Sequence, residues 1–356
     1  MDTEFIRGRS YYPTVSLIQV ASENTLFAID MTIDLDYSPL IQLLCNHNIL
    51  KVIHSAKQDL EMVFYKFQLL PNPIFDTQIG AMLDGKDTQI SYDKLIRLYT
   101  GVQIEKNLQT SDWQRRPLTA KQIVYAINDV AHLYEAFPIL FESLQKKGRL
   151  SWMIEECFCI FDKDTIAPTR SHLVKKVLHY LDNPNLAIKI SLAIKICLLR
   201  EVIAQSANLP PTHISSDLLI ANIITDYIKK PLKFTEIGNI DEINAKISTE
   251  IDWRFVYKIF NNPHPLLREA LENTGFLLTP EDFREAKHLV AKRAEHNEMQ
   301  KNEAFYKLSA EITEICEKLG MSTQAFASTK DILLTAYGKD SKLRHGWRRK
   351  ILQSIN

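Results

Sequence analysis

Asp2-Thr3-Glu4-Phe5-Ile6-Arg7 opens the chain, and two apolar runs follow it, TVSLIQV at 14–20 and TLFAID at 25–30. Both runs are rich in strand-forming residues and a polar turn joins them, so the pattern predicts two strands. If residues 2–7 also form a strand, side chains two residues apart point to the same face. Asp2 and Glu4 could then serve one site.

The segments that follow alternate between the two kinds of secondary structure. The sequence predicts a helix at 38–46, a buried strand at 50–54 and a second helix at 57–67, which carries Asp59 near its start. Strands and helices interleaved in this way indicate an α/β sandwich around one sheet.

A long helix is predicted to begin near Thr119 and to end at Gly148. Tyr125 and Asp129 are four residues apart on it and are therefore neighbours on one face. We expect that face to lie away from a buried apolar stripe, so that core packing does not explain the pair. The stripe consists of Ile123, Ile127, Val130, Tyr134, Phe137, Phe141 and Leu144.

From about residue 150 onward the sequence shows only helical periodicity interrupted by prolines, which predicts small helical modules with linkers near 162–172 and 263–282. Residues 1–148 hold 14 basic and 17 acidic residues, whereas 149–356 hold 29 and 26. An acidic first part suits a metal site, and the basic stretch Lys339–Lys350 suits phosphate contact. A solvated helix face is the more ordinary explanation of such a stretch.

The composition is that of an ordinary globular protein, with 46% hydrophobic and 24% charged residues and a net charge of zero. The sequence contains no run of about 18 apolar residues and no secretory signal pattern. We therefore expect a cytoplasmic protein with no membrane contact and no obligate protein partner.

Four carboxylates gathered at one point would repel one another and would be costly to bury without positive charge. Divalent cations supply that charge, and oxygen ligands alone favour Mg²⁺ or Mn²⁺ over Zn²⁺. Two such ions ~4 Å apart can clamp a phosphodiester, activating a water and stabilising the departing 3′-oxygen. The Tyr125 hydroxyl would orient that water or help to deprotonate it. The four candidate ligands are Asp2, Glu4, Asp59 and Asp129.

The motifs around these residues closely resemble those of ribonuclease D. The first comprises Asp2 to Arg7, Tyr11-Tyr12-Pro13 and Leu17-Ile18-Gln19; the second is His54-Ser55-Ala56-x-x-Asp59-Leu60-Glu61; the third comprises Asp112-Trp113, Arg116-Pro117-Leu118-Thr119, Gln122, Tyr125-Ala126 and Asp129-Val130. Asp76-Thr77-Gln78 matches a further signature of the family. Because a tyrosine stands four residues before Asp129, the sequence resembles the tyrosine branch of the four-carboxylate (DEDD) exonucleases.

The resemblance implies a ribonuclease H-like α/β domain with a mixed five-stranded sheet at 1–148. It also implies helical modules similar to HRDC domains at 172–262 and 283–356. The implied activity is 3′→5′ hydrolysis of RNA to nucleoside 5′-monophosphates with two divalent metal ions, acting on RNA 3′ ends that include those of tRNA precursors. The implied catalytic residues are the four carboxylates and Tyr125.

Family members carry about twenty or more residues before the position of Asp2. Either the true start of the chain lies upstream, or the first strand is truncated and the metal site is loosened. Arg7, Arg115 and Arg116 flank the motifs and are weak candidates for substrate phosphate contact. Two alternatives remain open. One is a non-catalytic RNA-binding relic of the same fold, and the other is a DNA 3′→5′ exonuclease, since the ligands alone do not distinguish the sugars.

Overall fold

The computed structural model describes residues 1–7, 10–23, 25–104, 108–160, 170–181, 187–227, 280–299 and 301–355. They divide into two compact units. The first contains Met1–Ile6, Pro13–Lys163 and Met299–Asn356, and the second contains Arg7–Tyr12 and Asp164–Glu298. Both predicted linkers lie largely outside the described residues, and so does the predicted 172–262 module from residue 228 onward. Those boundaries therefore stay predictions.

The first unit begins with three antiparallel strands in the order β1 (Asp2–Ile6), β2 (Thr14–Ser22) and β3 (Thr25–Asp30). A second ladder is parallel and joins β4 (Lys51–Ile53) to β5 (Ile74–Asp76). The described strands thus occur in both orientations, in a three-stranded and a two-stranded ladder, which agrees with the predicted α/β class. The predicted strands at 14–20, 25–30 and 50–54 are confirmed.

Helices cover the strands and follow the predicted alternation. They are α1 (Ser38–Cys45), α2 (Lys57–Phe67), α3 (Thr77–Leu83), α4 (Tyr92–Thr100), α5 (Ala120–Lys146) and α6 (Leu150–Ile160). Leu44, Ile53, Leu60 and Ile18 are almost completely buried between α1, α2 and the strands. This layer of apolar side chains fixes α2, and hence Asp59, against β1.

The buried face of α5 differs from the predicted stripe. Val130 and Leu144 are buried as expected, but Ile123 and Tyr134 are 46% and 45% exposed. Ala126 is completely buried, because a small side chain lets the helix approach the strands closely. Asp129 is also buried, so the expectation that its face lies away from the core is wrong.

The C-terminal residues of the first unit form α12 (Glu303–Leu319), α13 (Thr323–Phe326), α14 (Thr329–Ala336), a short 3-10 turn at Lys342–Arg344 and α15 (Gly346–Ile355). Trp347 is buried and stacks on Trp152 of α6 at 4.4 Å between ring centroids. Its indole N–H donates to Glu156 at 2.9 Å. Phe75 and Leu140 share a core with these helices.

The described part of the second unit is helical and contains α7 (Arg170–Tyr180), α8 (Ala187–Ala207), α9 (Pro211–Ile214), α10 (Asp217–Tyr227) and α11 (Pro280–Glu298). Arg200 on α8 donates to Asp217 at 2.8 Å and to the Ser215 carbonyl at 3.0 Å, which anchors the start of α10. No strand occurs among the described residues after 150, as the periodicity predicts. None of the described helices combines the length and apolarity that a membrane crossing requires.

Candidate metal centre

β1 brings the first two carboxylates together. Asp2 pairs with Gln19 and Glu4 with Leu17 across the β1–β2 ladder, so Asp2 and Glu4 point to one face of the sheet. A register shift directly after Glu4 marks a bulge, a feature that often re-aims side chains beside active sites. The predicted strand geometry of the D-x-E motif is therefore present.

Asp129 reaches the same place from α5. One carboxylate oxygen from each of Asp2, Glu4 and Asp129 lies within 4.8 Å of the other two. The helix that carries Asp129 has a well-formed start, where the Thr119 hydroxyl accepts from the Gln122 backbone N–H at 3.3 Å and the Gln122 side chain accepts from the Thr119 N–H at 3.0 Å. Residues far apart in sequence thus form one group of hard oxygen ligands.

Asp59 is buried on α2 and is hydrogen-bonded to β1. Its carboxylate accepts a hydrogen bond of 2.6 Å from the hydroxyl of Thr3, the residue between the two β1 acids. Asp59 is not among the three residues that converge within 4.8 Å. It is nevertheless close enough for its charge to raise the pKa of Glu4.

Burial is the largest influence on the pKa of each of the four carboxyl groups, and the Met1 ammonium offsets it only in part at Asp2 and Asp59. Burial raises the pKa of Glu4 to about 9 and that of Asp129 to about 8, with a further contribution from neighbouring carboxylates. Burial also raises the pKa of Asp2 to about 6 and that of Asp59 well above its usual range. A cluster of acids that cannot ionise together without positive charge fits divalent metal ions.

Tyr125 lies one turn before Asp129, and its hydroxyl is hydrogen-bonded to the Asp129 carboxylate. Burial and the nearby acids raise the pKa of Tyr125 above its ordinary value. The phenol therefore remains protonated at neutral pH and can donate a hydrogen bond.

A groove of about 610 Å³ lies along this part of α5, and we call it the site groove. Its lining includes Tyr125, Asp129, Asn128 and Lys121 of α5, together with Gln103 and Ile104 from the segment before the helix. The site groove therefore gives an open approach to Asp129 and Tyr125, and the other three candidate ligands do not line it.

Asp76 holds the start of the helix that carries Asp59. Its carboxylate accepts from the backbone N–H groups of Ser55, Ala56 and Gln78 at 2.9, 2.9 and 2.8 Å. Ser55 has a φ of +55°, which is unfavourable for a residue with a side chain. No side chain of its own segment caps α2, so Asp76 caps both α2 and α3.

Tyr92 holds the helix that carries Asp129. Its hydroxyl donates to the backbone carbonyl of Asp129 and accepts from the backbone N–H of Leu133. The phenol therefore contacts a carbonyl and the N–H four residues later, the two groups that bond to each other in a helix. Asp129 is thus fixed through its backbone as well as its side chain.

The three arginine candidates have different surroundings. The Arg116 guanidinium forms a two-point contact with Asp30 at 2.5 and 2.6 Å and also donates to the Trp113 carbonyl at 2.8 Å. These contacts join the segment before α5 to β3, so they support an anchoring role for Arg116. Arg115 is exposed, and Arg7 is exposed and belongs to the second unit. The predicted phosphate contacts of all three stay predictions.

Sequence reasoning missed three residues that build the site. Thr3 is a small residue inside a recognised motif, and nothing in its spacing reveals its bond to Asp59. Asp76 falls in a matched signature that implies no role for it, and no helix is predicted directly after it that would mark it as a cap. Tyr92 gave no signal, because its bond is to a backbone group 37 residues away.

Comparison with known proteins identifies the chain's relatives. Residues 1–149 match a family described as 3'-5' exonuclease. The chain is 38% identical over 288 residues to "Ribonuclease D" of Zymomonas mobilis subsp. mobilis, covering 80% of this chain and 68% of that protein. It is 34% identical over 245 residues to "Ribonuclease D" of Bartonella henselae, covering 68% of this chain but only 59% of that protein.

A solved structure is similar to this chain in fold. The crystal structure of Escherichia coli RNase D, described as an exoribonuclease involved in structured RNA processing, matches with a TM-score of 0.70 at 24% identity, covering 99% of this chain and 90% of that one. Because the identity is low, this likeness concerns the fold. Together with the sequence relatives, the fold and the cluster of acids show that the chain belongs to the ribonuclease D family.

Proposed function

We propose that the chain is a metal-dependent 3′→5′ exoribonuclease that releases nucleoside 5′-monophosphates from RNA ends. The observation that carries this proposal is the meeting of Asp2, Glu4 and Asp129 within 4.8 Å beside an open groove. A binding protein has no use for buried acids that repel one another. Membership of the ribonuclease D family supports RNA as the substrate, including tRNA precursors with 3′ trailers.

The four carboxylates would hold two divalent ions, Mg²⁺ or Mn²⁺, with Asp2, Glu4 and Asp129 as the central ligands and Asp59 as the fourth. When bound, these ions supply the positive charge that lets the acids ionise together and that stabilises charge on the scissile phosphate. Thr3 orients the Asp59 carboxylate through its 2.6 Å hydrogen bond.

Tyr125 would orient the attacking water at the open side of the site. Its raised pKa keeps the phenol protonated, so it cannot take a proton from the water and its contribution is to hold the water in line with the phosphorus–oxygen bond. Water attacks phosphorus, the bond to the 3′-oxygen of the preceding nucleotide breaks, and that oxygen takes up a proton. The products are a nucleoside 5′-monophosphate and an RNA that is one nucleotide shorter.

The helical regions fit a supporting role. We propose that the 172–262 and 283–356 modules are HRDC-like and assist RNA binding, while residues 1–148 carry the chemistry. A cytoplasmic location is part of the same proposal. Arg348, which follows Trp347 in the second module, has a packing role: it contacts Glu156 of α6 and donates to the Phe326 carbonyl at 2.6 Å.

The test uses the full chain with a 5′-labelled single-stranded RNA in Mg²⁺. We expect stepwise shortening from the 3′ end with mononucleotide release, abolished by Asp59→Asn and by chelation. Glu142→Gln is the matched control, because it changes to an amide an exposed carboxylate on α5 that pairs with Lys146 and is not a candidate ligand.

Two results would contradict the proposal. A wild-type protein that binds RNA but never shortens it is a non-catalytic relic. Faster shortening of a DNA strand of the same sequence would assign the site to DNA instead.

A further inference from the structure

A second groove adjoins the site groove and has no role in the proposed chemistry. It has a volume of about 620 Å³ and is lined by α4 and by the segments on either side of that helix. Gln103 and Ile104 line both grooves, so the two form a continuous surface. We call it the α4 groove.

The α4 groove carries an excess of positive side chains. Lys94 and Arg97 are three residues apart on the exposed side of α4, whereas Leu95 and Ile96 between them are completely buried. Neither cation has an ion pair or a hydrogen bond with another described residue. Lys86 adds a third positive charge, although Asp84 lies 3.9 Å from it.

Two acidic residues, Asp87 and Asp93, also line the groove, but one of them is engaged locally. The Asp93 carboxylate accepts a hydrogen bond of 2.6 Å from the Ser91 hydroxyl at the start of α4. The groove lining therefore carries three positive and two negative side chains, because a hydrogen bond from a hydroxyl leaves the charge of Asp93 in place. Leu98 is 49% exposed beside them and offers an apolar surface.

We propose that the α4 groove binds the phosphate backbone of the RNA strand upstream of the scissile phosphate, an inference that rests on the proposed function. When the 3′ end of an RNA occupies the site groove, the rest of the strand must run along an adjoining surface. The α4 groove adjoins the site groove at Gln103 and Ile104. Single-strand binding grooves combine cations that follow the backbone with apolar surfaces for the bases. Lys94 and Arg97 contact the phosphates, whereas Leu98 and Ile104 contact the bases.

The test measures binding separately from hydrolysis. Fluorescence anisotropy of a labelled adenosine decanucleotide with the full chain in EDTA gives the dependence of the Kd on salt. Each phosphate contact on a single strand contributes a slope of about 0.7 in log Kd against log salt. The variant Lys94→Gln/Arg97→Gln should therefore lower the slope by about 1.4, because two contacts are lost.

The matched control removes the same charge elsewhere in the first unit. Lys66→Gln/Lys146→Gln replaces the lysines in the last turns of α2 and α5, which line neither groove, and should leave the slope unchanged. In Mg²⁺, the α4 variant should raise the KM for the decanucleotide while leaving kcat and the KM for a dinucleotide unchanged, because a dinucleotide does not reach the α4 groove.

An α4 variant with the slope of its control, or with equal KM changes on both substrates, overturns the inference. Circular dichroism that matches the wild type excludes misfolding as the cause of a change. If the wild type binds RNA with the expected slopes but never hydrolyses it, the proposed function fails while the binding surface stands.

Discussion

Asp76→Asn is the substitution that best tests how the metal centre is held. Asp76 is 3% exposed, and one of its oxygens accepts from Ser55 and Gln78 while the other accepts from Ala56. The asparagine can keep the first oxygen in place, but its NH₂ group then faces the Ala56 N–H. One of three hydrogen bonds is replaced by a donor–donor contact.

The expected cost follows from that arrangement. Leaving a buried N–H unsatisfied costs about 1–3 kcal/mol, and losing the carboxylate weakens the two remaining bonds because charged acceptors bind more strongly. We expect a total loss of about 2–4 kcal/mol in the free energy of unfolding. The start of α2 should shift, and Asp59 three residues after Ala56 should move with it.

Urea denaturation measures the first effect, and Mg²⁺ titration followed by RNA hydrolysis measures the second. We expect a lower midpoint, a weaker apparent Mg²⁺ affinity and a kcat that recovers at high Mg²⁺. Asp331→Asn is the matched control, since Asp331 caps the start of α14 through Ser328, far along the chain from the candidate ligands. Wild-type Mg²⁺ affinity in a destabilised Asp76→Asn protein would refute the link between this cap and Asp59.

Three further outcomes are expected. Tyr125→Phe should lower kcat about 100-fold or more with little change in KM, because general catalytic groups contribute about that much, and a wild-type kcat would remove the phenol from the mechanism. Uptake of Mg²⁺ at pH 7 should release about one to two protons, because the pKa values of Glu4 (about 9) and Asp129 (about 8) leave both side chains protonated before the ion binds. Calorimetry in buffers of different ionisation enthalpy measures this release. A release of zero protons would contradict the expectation. Arg116→Ala should lower the free energy of unfolding by about 1–2 kcal/mol at pH 7. The Arg116 hydrogen bonds depress the pKa of Asp30, so this stabilisation is present above pH ~4 and is lost as pH falls through the folded pKa; equal losses in urea denaturation at pH 7 and at very low pH would contradict that account.

The sequence allowed most of the first domain to be predicted, because its strands and helices carry strong local patterns. The runs at 14–20 and 25–30 became β2 and β3, and the spacing of Asp2 and Glu4 placed both acids on one face. These features depend on residues close together in the chain, where alternation and turn chemistry act directly.

The parts that could not be predicted depend on tertiary contacts. The buried stripe predicted for α5 includes Ile123 and Tyr134 because their side chains are large and apolar. Close approach of the helix to the sheet instead selects small residues such as Ala126. Likewise, the cap on α2 comes from Asp76, which lies 20 residues beyond Ala56. No local pattern carries that information.

The packing of Trp347 against Trp152 has a practical consequence for expression and fragment design. Phe75, directly before Asp76, lies in the same apolar cluster as Trp347 and the helices around it. Ending the chain after α6 to obtain a minimal nuclease would expose that cluster, including Phe75 of β5, to water. A shortened enzyme should therefore be built by joining residues 301–355 back to the catalytic portion rather than by deleting them.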